Sequence, residues 1–248
     1  MQTHSAQPLL KVAGLRAGYG RHVVLDGIDL SMQLGEWCSL LGPNGVGKST
    51  LLHAIVGKLS PLRGAVTLNG YSIVGSLANA LRQVGFACAP DKLPGLLTGK
   101  QCLEVYSAAK DLPEVDSAVL DLAATLKFTP YLDSFVDTYS LGTRQKLCVL
   151  LALLGRPSLI VLDEAFNGLD PNSSLALKRH LRAEVTAGRC SVLLATHALD
   201  IVERFSDAAA LLIDGRIVRS WDREALNAIR TDETNSFETE LAVAAAAF

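Results

Sequence analysis

A nine-residue loop from Gly42 to Thr50 constrains this chain more than any other segment; it reads GPNGVGKST. It fits the pattern G-x-x-x-x-G-K-S/T, in which glycines let backbone N–H groups turn inward around a phosphate. An apolar run, Trp37–Leu41, precedes the loop, and a helical pattern, Lys48–Val56, follows it. Strand, loop and helix in this order predict a helix N-terminus whose dipole points at a bound phosphate.

Two side chains of this loop can act on a nucleotide directly. Lys48 carries a mobile positive charge suited to the β- and γ-phosphates, and the Ser49 hydroxyl is a suitable Mg²⁺ ligand. The predicted phosphate-binding residues are Gly42, Pro43, Asn44, Gly45, Val46, Gly47, Lys48, Ser49 and Thr50. A glycine-rich turn without a ligand is the alternative, which the flanking strand and helix patterns disfavour.

The apolar run Leu159–Leu162 ends in two adjacent carboxylates, Asp163 and Glu164. This pattern predicts a buried strand whose end brings Asp163 beside the phosphate loop, where it would hold Mg²⁺ directly or through water. Because neighbouring strand residues point to opposite faces, Glu164 is expected to have a different task, which is to orient and polarise an attacking water. A buried strand that merely ends in an acid is the alternative for this segment alone.

A histidine follows another strand-like run. His197 lies two residues after Ser191–Ala195, which we expect to form the strand next to the one that ends at Asp163. That arrangement would bring the imidazole near a γ-phosphate, with which it can form a hydrogen bond. From spacing alone, a purely structural role for His197 is equally compatible with the sequence.

Strand-like and helical runs alternate along most of the chain, which predicts an α/β fold with a mostly parallel sheet. Two runs before Trp37, Leu9–Val12 and Val23–Leu30, are joined without a helix and predict an N-terminal antiparallel β part. The stretch 77–154 holds three helical patterns and few strand signals. We therefore expect a helical sub-domain there, inserted between two strands of the core.

The length of 248 residues suits a single domain, which we place at residues 1–230. Beyond this point the chain is acidic and polar at first and then rich in alanine. This composition predicts a poorly anchored, flexible tail over residues 231–248. Within the tail, Glu238–Ala247 fits a short helix.

Charge and hydropathy exclude several classes of protein. The chain has 23 Lys and Arg against 25 Asp and Glu, a net charge of −2, whereas a surface that follows nucleic-acid phosphates needs a basic excess. Mean hydropathy is high at +0.28, but the longest apolar run, Leu147–Leu154, is far shorter than the roughly 20 residues that cross a bilayer.

The five cysteines are widely spaced, so we expect reduced thiols and neither a metal-binding knuckle nor a disulfide framework.

Four more short segments lie at characteristic places along the chain. Tyr139–Lys146 reads YSLGTRQK, and Asn167–Asp170 reads NGLD. His197 follows a strand pattern, and Tyr19 precedes a long strand pattern. With the phosphate loop and the paired carboxylates, these segments resemble the motifs of the ATP-binding cassette (ABC) ATPases, the nucleotide-binding subunits of ABC transporters. The resemblance covers about Leu9–Trp221. The four segments correspond to the family's signature, D-loop, switch histidine and adenine-stacking aromatic.

For the catalytic site, the resemblance implies a P-loop NTPase core that binds ATP with Mg²⁺ and hydrolyses it. Tyr19 would stack on adenine, and Glu164 would activate the water. Lys48 and His197 would stabilise charge on the γ-phosphoryl group. Asp163, together with the serine of the phosphate loop, would serve Mg²⁺.

For the signature, the resemblance implies a dimer. In this family two cassettes meet head to tail, so Ser140 and Gly142 would close on the ATP held by the partner cassette, in a homodimer or a heterodimer. An ordinary serine N-cap of a core helix is the alternative. Arg144 and Lys146, in the same segment, are expected to be solvated helix residues.

For the whole assembly, the resemblance implies that ATP hydrolysis powers solute transport through a separate transmembrane permease subunit. The chain would associate peripherally with the cytoplasmic face of the cell membrane, with no nucleic acid as partner. The sequences of the signature and D-loop segments are more similar to those of exporter cassettes than to those of importer cassettes. An importer ATPase, a soluble ABC ATPase outside transport, and a regulatory module are the alternatives.

The sequence departs from the family pattern at several positions. Leu141 and Thr143 replace the usual Gly and Gln of the signature, and Ala165 stands where Pro is usual. Ala89 occupies the place of the Q-loop glutamine, and an alanine cannot bind Mg²⁺ or water. Asp91 would substitute only if the loop register shifts.

The high hydropathy is explained in part by buried parallel strands, which form continuous apolar runs. The remaining excess predicts an apolar surface patch around Phe86–Tyr106. We expect this patch to dock a cytoplasmic helix of the membrane subunit.

Overall fold

The computed structural model describes residues 7–231 and 236–246, and within these ranges the backbone forms two sheets with helices packed on the larger one. The strands are β1 (Leu10–Tyr19), β2 (His22–Met32), β3 (Trp37–Leu41), β4 (Arg63–Leu68), β5 (Tyr71–Ser72), β6 (Val84–Ala87), β7 (Leu159–Asp163), β8 (Ser191–Ala195), β9 (Ala208–Ile213) and β10 (Arg216–Trp221). The helices are α1 (Lys48–Ile55), α2 (Leu77–Arg82), α3 (Gly99–Ala109), α4 (Ser117–Thr125), α5 (Leu141–Leu153), α6 (Pro171–Thr186), α7 (Leu199–Phe205), α8 (Arg223–Thr231) and α9 (Phe237–Ala246). In the part of the chain that is described, no helix is long and apolar enough to cross a membrane.

The smaller sheet is antiparallel and has the order β2-β1-β4-β5. β1 and β2 form a hairpin whose pairing runs from Leu10 with Met32 to Tyr19 with His22. The predicted antiparallel part is therefore confirmed, although β1 is longer than the predicted run Leu9–Val12. Side chains from this sheet pack against α1 and the larger sheet in one buried cluster.

The larger sheet has the order β10-β9-β3-β8-β7-β6. Its neighbours from β9 to β6 are parallel, and β10 is antiparallel to β9. Every residue of β3 and β8 is buried, as are the four apolar residues of β7. Helices cover this sheet, which explains why its strands are continuous apolar runs. The mostly parallel α/β core predicted from the sequence is confirmed.

The inserted helical region begins later in the chain than predicted. Val84–Ala87 forms β6, which pairs in parallel with β7 and belongs to the core sheet. The predicted sub-domain, 77–154, therefore contains a core strand, and the helical insertion starts after Ala87 with α3 and α4. α5 contacts both of these helices, but it also packs on β6 and β7. It therefore joins the insertion to the core.

The prediction of a poorly anchored tail is wrong for the part of the tail that the structure describes. Phe237 starts α9, is 1% exposed and packs against Trp221, with 5.1 Å between the ring centroids. Leu241 and Ala244 pack on the same cluster. Residues 232–235 of the predicted tail lie outside the described residues, as do Phe248 and Ala247, the last residue of its predicted helix.

Replacing Phe237 by Ala tests this anchoring. We expect the free energy of unfolding to fall by about 3 kcal/mol, because the substitution removes a fully buried ring from a packed cluster. Denaturant unfolding measures the change. Val243→Ala on the same helix is the matched control, since Val243 is 67% exposed, and should change stability little. Equal stability of the two variants would mean that α9 does not pack in solution.

Candidate functional site

Three loops meet at one edge of the larger sheet. Leu40 of β3 pairs with Ala195 of β8, and Ala195 pairs with Asp163 of β7. The phosphate loop, His197 and Glu164 each follow one of these three parallel strands. Carboxyl ends of parallel strands are where open α/β sheets bind ligands. The expected adjacency of the strands that end at Ala195 and Asp163 is confirmed.

The phosphate loop has the backbone of an anion-binding turn. Gly45 and Gly47 have φ values of 81° and 113°, and Gly47 directly precedes α1. Lys48 is buried, and its Nζ donates hydrogen bonds to the carbonyl oxygens of Gly42 (2.7 Å) and Pro43 (3.1 Å). The ammonium therefore lies folded over the loop, within the space that the loop encloses. This arrangement fits a phosphate, which can replace the two carbonyl acceptors.

Gly42 is required by close packing as well as by conformation. Its φ is 149°, and a Cβ at this position would lie 2.3 Å from the carbonyl oxygen of Leu212. A side chain would therefore push the start of the loop away from β9.

A cavity of about 250 Å³ lies between the phosphate loop and the end of β7. Its lining residues are Val24, Asn44, Gly45, Gly47, Lys48, Ser49, Thr50, Asp163 and Glu164. Hydroxyl and carboxylate oxygens are the ligands that Mg²⁺ prefers, and Mg²⁺ bound to nucleotides needs only one or two protein carboxylates. The donor set of Ser49 and Asp163 therefore fits a nucleotide-bound Mg²⁺. No group of three or more potential metal ligands occurs among the described residues.

Glu164 is held by one side chain of its own turn and one of a neighbouring loop. Its Oε1 lies 3.0 Å from Nδ1 of His197, and its Oε2 accepts a hydrogen bond from Nδ2 of Asn167 at 3.2 Å. The prediction that strand alternation points Asp163 and Glu164 to opposite faces is wrong. Glu164 lies beyond β7, in a left-handed conformation with φ of 49°. Both Asp163 and Glu164 line the same cavity, so the turn after β7, and not strand alternation, sets their directions.

A second cavity, of about 260 Å³, is also lined by these two carboxylates. Its lining residues are His53, Phe86, Ala89, Pro90, Leu141, Gln145, Asp163, Glu164, Asn167 and Gly168. Ala89 thus lies beside Asp163 and Glu164, as its alignment with the Q-loop position predicts. Asp91 does not replace the missing amide, because it pairs with Lys92 at 3.1 Å and does not line this cavity.

The segment Tyr139–Lys146 contains the start of α5. Ser140 is exposed and is the N-cap, with its Oγ accepting a hydrogen bond from the backbone N–H of Thr143 at 3.2 Å. Gly142 lies so close to the D-loop that an added Cβ would be 2.5 Å from the carbonyl oxygen of Gly168. The predicted solvation of Lys146 is wrong.

Lys146 is buried and links two parts of the molecule. Its Nζ donates to the carbonyl oxygen of Leu126 at 2.8 Å and lies 3.1 Å from Oδ2 of Asp170. Hydrogen bonds from Ser173, together with Lys146, hold the pKa of the Asp170 carboxyl well below its usual range. Asp170 therefore stays ionised and caps α6.

The model of the ABC transporter family matches residues 25–167, which is more than half of the chain. The chain belongs to the ABC transporter ATP-binding family. Among curated proteins, the uncharacterized ABC transporter ATP-binding protein YdbJ of Bacillus subtilis is 34% identical, over 86% of this chain and 68% of YdbJ. The Nod factor export ATP-binding protein I of Ralstonia nicotianae is 32% identical, over 84% of this chain and 65% of that protein.

Some relatives of this cassette are much longer than it is. Human ATP-binding cassette sub-family A member 10 is 34% identical over 79% of this chain, which spans only 13% of that protein. Among solved structures, an ATP-binding subunit of an ABC transporter has a TM-score of 0.84 and 29% identity, and covers 96% of this chain and 99% of its own. The cassette MJ0796, solved as a dimer with ADP and Pi, has a TM-score of 0.78 at 21% identity, over 86% of this chain and 98% of its own. The P-loop NTPase fold of the cassette is thereby established.

Tyr19 lies apart from the phosphate cavity of the cassette. It is 52% exposed at the end of β1, and its hydroxyl lies 3.3 Å from Nδ1 of His53 on α1. An exposed ring can stack on a base, and the contact with α1 fixes its orientation. Burial and the nearby Lys58 ammonium lower the pKa of His53, so this imidazole is neutral at neutral pH.

Sequence reasoning missed three residues of the cassette's second cavity. Gln145 is 5% exposed within α5, His53 is on α1, and Asn167 was assigned only to the D-loop. The spacing of Asn167, three residues after Glu164, is the one signal that predicts a local contact between them. His53 and Gln145 are on helices distant in sequence, so only the fold brings them to the cavity.

Replacing Gly142 by Ala tests the contact between signature and D-loop. Alanine usually stabilises a helix relative to glycine by about 1 kcal/mol. Here we expect a loss of about 1–3 kcal/mol, because the new Cβ must displace the Gly168 carbonyl. Denaturant unfolding measures the change, with Val105→Ala on α3 as control because Val105 is 52% exposed. A Gly142→Ala variant as stable as the parent would show that the two segments are not in contact.

Proposed function

We propose that this cassette binds and hydrolyses ATP and thereby powers solute transport, as export, through a separate transmembrane permease. The observation that carries the proposal is the 3.0 Å contact between Glu164 and His197 at the edge of the phosphate cavity. A hydrolytic site needs a base held close to the phosphate, and a module that only binds nucleotide has no need of one.

ATP binding rests on the loop and on Tyr19. The backbone of Gly42–Thr50 surrounds the phosphates, and Lys48 moves from the two loop carbonyls to the β- and γ-phosphates. Tyr19 stacks on the adenine from the end of β1. Ser49 and Asp163 would hold Mg²⁺, which would supply positive charge to neutralise the phosphate oxygens.

Hydrolysis rests on Glu164 and His197. Glu164 accepts a proton from the attacking water as the oxygen approaches the γ-phosphorus. When Glu164 is ionised, Nδ1 of His197 donates to it, so Nε2 donates to a phosphate oxygen only when the ring is protonated. Asn167 fixes the second carboxylate oxygen, so that Glu164 keeps one orientation.

The signature acts on the ATP of a second cassette. Ser140 is exposed, and with the backbone at Gly142 it forms a helix N-terminus that can bind a γ-phosphate. We propose that two copies, or this chain and a related one, enclose two ATP molecules head to tail. ATP favours the closed dimer, and hydrolysis with product release lets it open.

The permease docks on the helical insertion, which places the cassette at the cytoplasmic face of the membrane. Leu96 is 85% exposed and Phe135 is 56% exposed. Their segments are joined by the hydrogen bond from the Val136 N–H to the Leu97 carbonyl at 2.9 Å. Leu96 lies within the predicted patch around Phe86–Tyr106, and Phe135 extends the docking surface beyond it. Phe86 is half-buried under Lys58 and does not belong to this surface.

Export is the favoured direction. One relative is named as a Nod factor export ATP-binding protein. An importer ATPase stays the second candidate, because the site chemistry is the same in both directions. A soluble ABC ATPase is disfavoured by the exposed apolar pair on the insertion.

Replacing Glu164 by Gln tests the hydrolytic mechanism. We expect ATP binding to persist and the rate of phosphate release to fall by roughly 10²-fold or more, because the amide cannot accept the proton. The trapped ATP should convert the chain to a dimer in size-exclusion chromatography. Glu104→Gln, at an exposed position of α3, is the control. An unchanged rate would remove Glu164 from the role of base, and an inactive parent protein would favour the regulatory module.

Replacing Leu96 by Glu tests the docking surface. We expect this variant to lose binding to membranes that contain the permease, while its ATPase rate in solution stays unchanged, because Leu96 is remote from the phosphate cavity. Sedimentation with native membrane vesicles measures the binding. Val74→Glu is the matched control, since Val74 is 72% exposed but lies between β5 and α2. Equal sedimentation of both variants would contradict docking at Leu96.

A further inference from the structure

Two thiols face each other between the core sheet and the signature helix. Cys88 directly follows β6, and Cys148 lies in the middle of α5. Their Sγ atoms are 3.7 Å apart. Cys148 is fully buried, and Cys88 is half-buried, so a small solute reaches the pair only from the Cys88 side.

The surroundings make Cys88 the reactive member of the pair. The hydrogen bond between the Cys88 and Cys148 thiols, together with the nearby Lys58 ammonium, lowers the pKa of Cys88 to about 7 despite partial burial. The same contact and burial raise the pKa of Cys148. A half-exposed thiol with a lowered pKa and a second thiol beside it is the arrangement of peroxide-sensitive cysteine pairs.

We propose that Cys88 and Cys148 are an oxidation site, at which a peroxide converts the two thiols into a reversible disulfide. A disulfide requires about 2.05 Å between the sulfurs, so the two Sγ atoms, now 3.7 Å apart, must move closer by about 1.7 Å. The half-buried Cys88 side chain supplies this movement, because it follows the strand and does not lie within it.

The reaction balances with the peroxide as oxidant. The Cys88 thiolate attacks one peroxide oxygen, the O–O bond breaks, and Cys88 becomes a sulfenic acid while hydroxide takes up a proton as water. The Cys148 sulfur then attacks the Cys88 sulfur, the S–O bond breaks, and the Cys148 proton leaves with the hydroxyl group as a second water. Overall, two thiols and hydrogen peroxide give one disulfide and two waters.

The bond would alter the catalytic cavity. Cys88 is the residue before Ala89, which lines the cavity with Asp163 and Glu164. A disulfide to α5 ties this segment to the helix that begins with the signature. If the chain hydrolyses ATP as proposed above, oxidation therefore restrains Ala89 and lowers the rate. This effect rests on the proposed function, but the disulfide itself does not.

The other cysteines provide an internal comparison. Burial raises the pKa of Cys190 to about 12 and, with the nearby Cys88, that of Cys102 to about 11. Cys38 is also buried, and burial raises its pKa as well. These three thiols should therefore react slowly with peroxide.

Peptide mapping of the full-length, freshly reduced protein tests the proposal. The protein is treated with hydrogen peroxide, quenched with N-ethylmaleimide, digested and analysed by mass spectrometry. We expect two of the five thiols to be lost, a linked peptide pair that contains Cys88 and Cys148, and recovery of both thiols with dithiothreitol. Five free thiols, a link from Cys88 to Cys102, or a stable sulfinic acid on Cys88 would each overturn the proposal.

Two variants separate the roles of the two thiols. Cys148→Ala should leave Cys88 as a sulfenic acid that dimedone traps, and Cys88→Ser should abolish thiol loss, even if the buried Cys148→Ala variant does not fold. Cys190→Ser is the matched control and should oxidise like the parent. ATPase rates are then compared before and after oxidation. The regulatory effect is supported if oxidation lowers the ATPase rate, dithiothreitol restores it, and the Cys88→Ser variant shows no such loss. If the disulfide-linked protein keeps its full ATPase rate, the regulatory effect is overturned, but the disulfide is not. A reduced protein without ATPase activity contradicts the proposed function and leaves the mapping result intact.

Discussion

The register between β3, β8 and β7 is the constraint on which the site depends. Leu40, Ala195 and Asp163 are aligned across these strands, so the loops that follow them emerge side by side. The strands are buried and, except for Ser39 and Ser191, apolar up to this edge, and burial on both faces holds them in place. A slip of one residue in β7 would turn its apolar side chains to the opposite face and withdraw Asp163 from the phosphate loop.

Much of the core was predictable because its strands are apolar runs between clear breaks. Trp37–Leu41 and Ser191–Ala195 match β3 and β8 to the residue. β6 was not predicted, and Gly85 gives the physical reason. A Cβ at this position would lie 1.8 Å from the Ala152 carbonyl oxygen, so glycine is what lets α5 pack on β6. The residue that weakens the local strand signal is required by a contact with a helix far along the chain.

The candidate site was predictable where one motif holds the chemistry, and not where partners come from distant segments. Lys48, Ser49 and Asp163 follow from local patterns and line one cavity. The direction of Glu164 does not, because its left-handed backbone and its contacts to His197 and Asn167 exist only in the folded turn. The same holds for Phe237, since an alanine-rich tail gives no sign that this aromatic residue packs on Trp221.

α5 is the element that contacts both the helical insertion and the part of the molecule that carries the candidate site. The first turn of α5 contacts the D-loop at Gly168. Its Lys146 binds both the Leu126 carbonyl at the end of α4 and Asp170 at the start of α6. Its Cys148 faces Cys88. Lys146 and Cys148 are buried in the packed helix, so a shift of α5 changes their contacts together. Ala89 has no side-chain amide, so its side chain cannot form a hydrogen bond with a phosphate or water in the cavity that it lines. The contact between α5 and the D-loop, which begins with Asn167 bound to Glu164, therefore connects the carboxylate to the insertion through neighbouring residues.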